Sequence, residues 1–173
     1  YNTALGAQTL VQNTTGSYNT AVGLGAMANN STGSYNTAVG REALYFATAG
    51  TKNSAIGFSS SHQDTGNNNT SLGNYALSSK GTGDNNLAIG YNAAENQTAG
   101  DNNIAIGANA RLANTSGSNQ LNLANIIFGT GLTGSVSAPT GNVGIGTSAP
   151  SNRLEISSGN TTDLNFATGL RFT

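Results

Sequence analysis

The chain opens with the hexapeptide YNTALG at residues 1–6 and repeats it as YNTAVG at 18–23 and again at 35–40. Five further copies follow: KNSAIG at 52–57, NNTSLG at 68–73, NNLAIG at 85–90, NNIAIG at 102–107 and the degenerate NQLNLA at 119–124. Successive copies are 17 residues apart, except for one step of 16. A second glycine series keeps the same spacing: Gly16, Gly33, Gly50, Gly66, Gly83, Gly100 and Gly117. Two in-phase series predict a solenoid in which each repeat is one coil.

Each coil is predicted to contain two short strands and two turns. Alternate motif positions match the period of a β-strand, and one face carries Leu5, Val22, Val39, Ile56, Leu72, Ile89, Ile106 and Leu123. The second half adds small and apolar residues such as Ala43-Leu44, then a Gly-Ser, Gly-Asn or Gly-Asp turn. We therefore predict an all-β fold, a parallel β-roll of about eight 17-residue coils, with a thin interior of Ala, Val, Ile and Leu.

Parallel stacking turns every repeat position into a ladder, because equivalent residues of successive coils lie about 4.7–4.9 Å apart. At that spacing, eight coils would span roughly 35–40 Å. The clearest ladder is formed by amide side chains, each expected to donate to the amide carbonyl of the next coil. It contains Asn2, Asn19, Asn36, Asn53, Asn69, Asn86, Asn103 and Gln120. We assign these residues a structural role.

Composition narrows the range of functions. Charged residues make up 8% of the 173-residue chain, against about 25% in ordinary globular domains. The net charge of −1 provides no basic surface for nucleic acid. No apolar run approaches the ~20 residues of a membrane span, so we expect a chain that is not membrane-embedded. The absence of cysteine excludes disulfides and thiolate metal sites.

The regular spacing ends at Ala124, after which an apolar run at 125–128 leads into a Gly- and Pro-containing stretch. Solenoid ends need atypical closing elements. We therefore predict a repetitive roll over 1–124, a cap and transition over 125–141, and a β-rich neck segment over 142–173, with a short strand at 154–156. Because the chain starts within a repeat and ends without a closing signal, both ends are expected to continue into a longer protein.

Asp84 and Asp101 are the most notable acidic pair, since they lie one period apart and should stack at about 5 Å. That separation would suit a retaining glycosidase pair or a shared Ca²⁺. Both residues, however, directly follow a turn glycine, at a position that Ser17, Ser34, Thr51, Asn67 and Ser118 occupy in other coils. Turn capping is therefore the predicted role.

His62, the only histidine, lies in a polar stretch with no nucleophile elbow, and is predicted to be a solvated loop residue. We predict no enzyme activity, no catalytic or metal-binding residue and no cofactor.

Tyr1, Tyr18 and Tyr35 form a predicted aromatic ladder on one edge of the roll. Aromatic rings can bind sugars, since their faces are apolar and a phenol can remain hydrated. The alternative is packing between coils that stiffens the roll. An ice-binding surface from the Thr3, Thr20 and Thr37 series is disfavoured, because Leu and Ile replace threonine in later coils.

The YNTAVG and NNIAIG repeats resemble the head repeats of trimeric autotransporter adhesins, whose NSVAIG-type motifs build a left-handed parallel β-roll trimer. Residues 141–159, GNVGIGTSAPSNRLEISSG, and the ending GLRFT resemble the region before the coiled neck and endosialidase-type intramolecular chaperone of phage tail fibres and related secreted fibres. This resemblance implies a homotrimer and an extracellular location, on a virion tail fibre or on a particle or cell surface. It also implies contact with host glycans or proteins.

Three functions follow from these observations, in order of preference. The first is a structural and adhesive segment of a phage tail fibre or related particle fibre. The second is a bacterial surface adhesin of the trimeric autotransporter type, with the same roll on a membrane anchor. The third is a polysaccharide-cleaving tailspike, which is disfavoured because such enzymes need a groove lined with carboxylates and charge is scarce here.

Overall fold

The computed structural model describes residues 1–79, 81–135 and 138–157. Within these ranges the chain is all-β, with no helical residue. Eight three-residue strands coincide with the eight motifs: β1 Thr3–Leu5, β2 Thr20–Val22, β3 Thr37–Val39, β4 Ser54–Ile56, β5 Thr70–Leu72, β6 Leu87–Ile89, β7 Ile104–Ile106 and β8 Leu121–Leu123.

These strands pair in parallel, each with the next one along the chain. Thr3 of β1 lies opposite Thr20 of β2, and the same offset of one repeat continues to β8. The shorter step between β4 and β5 keeps the register, since Ser54 pairs with Thr70. The chain is therefore a parallel β-solenoid of about seven turns, which confirms the predicted fold class.

Strands β2 to β8 bury their central residue and turn the flanking two outward. Ala21, Ala38 and Ala55 are fully buried, whereas Leu5 is 67% and Ile56 44% exposed. The prediction that the motif's Val, Ile and Leu residues line the interior is wrong. Alternation places them on the opposite face from the central alanine, and the interior beneath each strand holds only a small side chain.

The second half of each coil is not a strand, contrary to prediction, but a run of consecutive turns. Alternate residues there adopt positive φ, as at Glu42 (57°) and Leu44 (51°). The Ala43 N–H bonds the Gly40 carbonyl three residues back, while the Leu44 N–H bonds the Ser60 carbonyl of the next coil at 3.0 Å. Backbone donors are thus satisfied without a β-ladder in this half.

These turns supply most of the larger interior side chains, notably Met27, Leu44 and Leu77. The apolar core consists of two clusters, one before and one after the 16-residue step. Between them lie the buried hydroxyls of Ser60, Ser61 and Ser71, with Ser71 Oγ at 2.6 and 2.8 Å from the other two. A polar layer therefore interrupts the core at the irregular coil.

After β8 the chain reverses direction. Strand β9 (Ile127–Thr130) pairs antiparallel with β8, β10 (Gly134–Ser135) forms a small ribbon with β11 (Ala138–Pro139), and β12 (Asn142–Ile145) returns antiparallel to β9. The predicted strand at 154–156 is present as β13 (Leu154–Ile156), parallel to β12. The domain boundaries at 124 and 141 remain predictions, and residues 158–173 of the predicted neck lie outside the described residues.

Candidate binding surfaces

The amide ladder lies inside the solenoid, and its bonds connect side chain to backbone. Each side-chain carbonyl accepts the backbone N–H of the next ladder residue at 2.8–3.0 Å. Asn36 Nδ2 donates to the Gly50 carbonyl at 2.8 Å, and most other members bond a glycine in the same way. The expected amide-to-amide bond occurs between Asn86 and Asn69 at 3.0 Å. These buried bonds fit a structural role.

The acidic pair Asp84 and Asp101 belongs to a second ladder at the turns. Asp84 Oδ1 accepts the Asn67 N–H at 2.7 Å, and Asp101 Oδ1 accepts the Asp84 N–H at 2.7 Å. Ser118 Oγ accepts the Asp101 N–H in the same manner, at 2.8 Å. Both carboxylates therefore make turn-capping contacts. Among the described residues, no three His, Asp or Glu side chains are grouped to hold a metal ion.

The tyrosine ladder is present as a face-to-face stack. Ring centroids of Tyr1 and Tyr18 are 5.4 Å apart, and those of Tyr18 and Tyr35 are 4.9 Å apart, with planes within 15°. Because Tyr18 has a ring on either side, the stack presents edges and hydroxyls to solvent more than faces. Stacked sugars need a free ring face, so this geometry favours stiffening of the roll over sugar binding.

An aromatic cleft of about 370 Å³ lies beside the irregular coil, lined by Glu42, Phe58, His62, Gln63, Tyr75 and three serines. We call these residues the aromatic cleft. The Phe58 ring meets Tyr75 edge-on at 5.1 Å. The His62 ring is stacked on Tyr45, with centroids 5.3 Å apart. Three aromatic side chains therefore contribute to the cleft lining.

Glu42 supplies the one carboxylate among the cleft's lining residues. Its Oε1 accepts from Arg41 NH2 at 3.0 Å, while Oε2 lies 3.9 Å from His62 Nε2, beyond hydrogen-bond distance. Arg41 in turn lies over the Phe58 ring, 5.5 Å from its centroid. Glu42 Oε2 thus remains as an acceptor beside the cleft, and Arg41 offsets the charge of the Glu42 carboxylate.

The prediction of a solvated His62 is wrong, since 23% of its side chain is exposed and its ring contacts Tyr45 and Phe46. Sequence reasoning assigned no role to Arg41, Phe58 or Tyr75. The available signal was the departure from the repeat, because Arg41 and Phe58 occupy the position of Ala7 and Leu24 and lie next to the single 16-residue step.

Burial lowers the pKa of His62 below 6.5, and the nearby Glu42 carboxylate opposes that shift only in part. The folded state therefore favours neutral His62, and its contribution to stability is present above pH 6.5 and lost as the pH falls through the lowered pKa. We expect the urea midpoint of the wild type to decrease slightly between pH 7.5 and 5.5. The same series on His62→Gln should show a smaller decrease, and equal slopes would contradict the assignment.

The outward side of β1–β8 forms a second surface, which we call the outer sheet face. It consists of the first and third residue of each strand. The third residues form a continuous apolar column: Leu5, Val22, Val39, Ile56, Leu72, Ile89, Ile106 and Leu123. The first residues change from threonine or serine in β1–β5 to Leu87, Ile104 and Leu121 in β6–β8. No position within β1–β8 carries a charge.

The fold and these surfaces define a β-solenoid repeat protein. No protein-family model matches the chain, and no curated protein or solved structure is significantly similar to it. In the ranges that the structure describes, no helix is long and apolar enough to span a bilayer.

Proposed function

We propose that this chain is a structural and adhesive segment of an extracellular fibre, in which three copies associate through the outer sheet face. The observation that carries the proposal is the column of outward Leu, Val and Ile residues along eight stacked coils. In the single chain Ile56 is 44%, Leu72 46% and Ile106 36% exposed. The number three comes from the resemblance to trimeric adhesin repeats.

The physical argument concerns the two faces of the sheet. Parallel sheets are almost always covered on both faces, and contiguous exposed apolar patches mark interaction sites. Here the inner face covers a thin interior made mainly of alanine, so one chain buries little apolar surface per residue. Small cores of this kind are usually reinforced by association. A second and third copy would cover the outer sheet face without burying a charge.

The proposed mechanism is mechanical. Stacked coils joined by backbone and amide ladders form a stiff rod, and its remaining surface or an adjoining tip contacts a host glycan or protein. A phage or related particle fibre is our first choice of carrier, on the resemblance of residues 141–159. The flanking sequence separates it from a bacterial adhesin, since the fibre would continue into a chaperone domain and the adhesin into a membrane anchor.

Ile106→Glu is expected to weaken association by about 10- to 100-fold, because a carboxylate would be buried in an apolar contact. Sedimentation equilibrium over a wide concentration range should give three 17.3-kDa chains for the wild type, and dissociation of the variant at higher concentrations. Circular dichroism would check that the variant remains folded.

Val11→Glu is the matched control, since Val11 is 65% exposed but lies off the outer sheet face. It should leave association unchanged. A wild type that stays monomeric throughout the range, or an Ile106→Glu variant as tightly associated as the wild type, would overturn the proposed assembly.

A further inference from the structure

The aromatic cleft coincides with the largest departure from the repeat. The position after the motif glycine, Leu24 and Asn74 in the adjoining coils, holds Arg41 and Phe58 here. The next position, Gly25 and Ser59 in the coils on either side, holds Glu42. The turn after Ser61 is one residue shorter than its equivalents and contains the chain's single histidine. Departures from an otherwise consistent sequence pattern occur mainly at functional or strained sites. The irregular coil thus carries a combination of side chains that the neighbouring coils do not repeat.

We infer that the aromatic cleft binds an uncharged sugar, a terminal hexose or disaccharide unit of a larger glycan. A pyranose has an apolar C–H face and a rim of hydroxyls. The ring of Tyr75 provides the apolar face, with Phe58 and His62 beside it, and 370 Å³ lies at the lower end of the volume range of small-ligand sites, about 300–1,000 Å³. Tyr75 is 38% exposed, so its ring remains accessible.

Polar groups at the cleft match a hydroxyl rim. Glu42 Oε2 is a carboxylate acceptor, Gln63 both donates and accepts, and Ser59, Ser78 and Ser79 supply hydroxyls. Hydrogen bonds from sugar hydroxyls to a carboxylate are charge-assisted and strong. Arg41 already contacts Glu42 at 3.0 Å and covers Phe58, so it holds the carboxylate in place.

Charge distinguishes the sugar class. Glu42 disfavours a sialic or uronic acid next to it, and Arg41, which offsets that charge, is engaged with the same carboxylate and ring. A quaternary ammonium ligand would need the Phe58 face that Arg41 already covers. An uncharged hexose can pack its apolar C–H face on the aromatic ring and hydrogen-bond its hydroxyls to the polar side chains of the cleft. The inference rests on the proposed attachment function, for which it names a receptor class and a site separate from the outer sheet face.

The test uses the full 173-residue chain and polyacrylamide-linked glycosides of glucose, galactose, mannose and N-acetylglucosamine, with sialylated and choline-bearing polymers as charged probes, measured by biolayer interferometry. At least one neutral probe should bind. Tyr75→Ala and Glu42→Gln should each weaken that binding by about tenfold, the equivalent of one lost stacking contact or charge-assisted hydrogen bond.

Tyr35→Ala is the matched control, because Tyr35 is also an exposed tyrosine, its ring is stacked on Tyr18 and it lies outside the cleft lining. It should change affinity by less than about twofold. Binding of none of the neutral probes, binding of a sialylated or choline probe alone, or equal losses at Tyr75 and Tyr35 would overturn the inference. Melting temperatures of all variants separate loss of the site from loss of the fold. Sedimentation of the same samples tests the fibre assembly separately, so either proposal can fail alone.

Discussion

Gly90→Ala is expected to lower the free energy of unfolding by about 3–6 kcal/mol. Gly90 ends the motif of β6 with φ of 124°, a backbone conformation that side chains strongly disfavour. A Cβ built there would lie 2.7 Å from both the carbonyl carbon and oxygen of Gly107 in the next coil. The obstacle is backbone held by the ladder, so relief would require the two coils to separate.

Urea denaturation at one fixed protein concentration would measure this loss, since association also contributes to apparent stability. Gly81→Ala is the matched control within the same solenoid. Its nearest neighbour for a Cβ is the Thr98 carbonyl at 3.5 Å, an ordinary contact, and its φ is not in the positive region. It should leave stability within about 0.5 kcal/mol of the wild type. A Gly90→Ala midpoint equal to that of Gly81→Ala would contradict this account of the coil contact.

The same geometry explains why the glycine spacing predicts the fold so directly. At these residues an added Cβ would meet the backbone of the next coil, and at Gly66 it would overlap the Gly83 carbonyl oxygen. Only stacked coils impose that restriction at a fixed period. The series ends at Ala124, where no parallel coil follows and the chain turns into antiparallel β9. The replacement of the motif glycine by Ala124 therefore predicts the end of the regular roll.

The orientation of the strands could not be predicted from the same pattern. Alternation shows that Ala38 and Val39 lie on opposite faces of β3, but it does not say which face is inside. Hydrophobicity favours Val39, and the structure buries Ala38 instead. The deciding factor is the space within a 17-residue coil, which the turn residues Met27 and Leu44 already fill. That is a tertiary property, absent from any single motif.

The aromatic cleft was beyond sequence reasoning for a related reason. Glu42 and His62 are 20 positions apart, and their proximity depends on the turn geometry of two coils. Positive φ at Glu42, Ser59 and Ser61 sets where these side chains emerge, and neither a strand nor a helix period describes such a run. The 16-residue step indicates where the repeat is irregular. The contacts between these side chains depend on the three-dimensional arrangement of two coils, which the sequence pattern does not describe.

The second large effect is expected at the amide ladder, where Asn36→Leu should cost about 2–6 kcal/mol of stability. Asn36 is 1% exposed. Its Oδ1 accepts the Asn53 N–H at 2.8 Å, and its Nδ2 donates to the Gly50 carbonyl at 2.8 Å. Leucine has a similar size but neither function, so a buried donor and a buried acceptor would lose their partner, at about 1–3 kcal/mol each.

Asn2→Leu separates the effect of burial from the effect of losing the two amide hydrogen bonds. Asn2 makes the same two bonds, from the Asn19 N–H at 2.9 Å and to the Gly16 carbonyl at 2.8 Å, but its side chain lies on the exposed first coil. Water can replace a lost partner there, so the loss should stay below about 1 kcal/mol. Urea midpoints of both variants, at equal protein concentration, give the difference. Equal losses at Asn2 and Asn36 would show that the ladder acts through local turn conformation, because burial would then make no contribution.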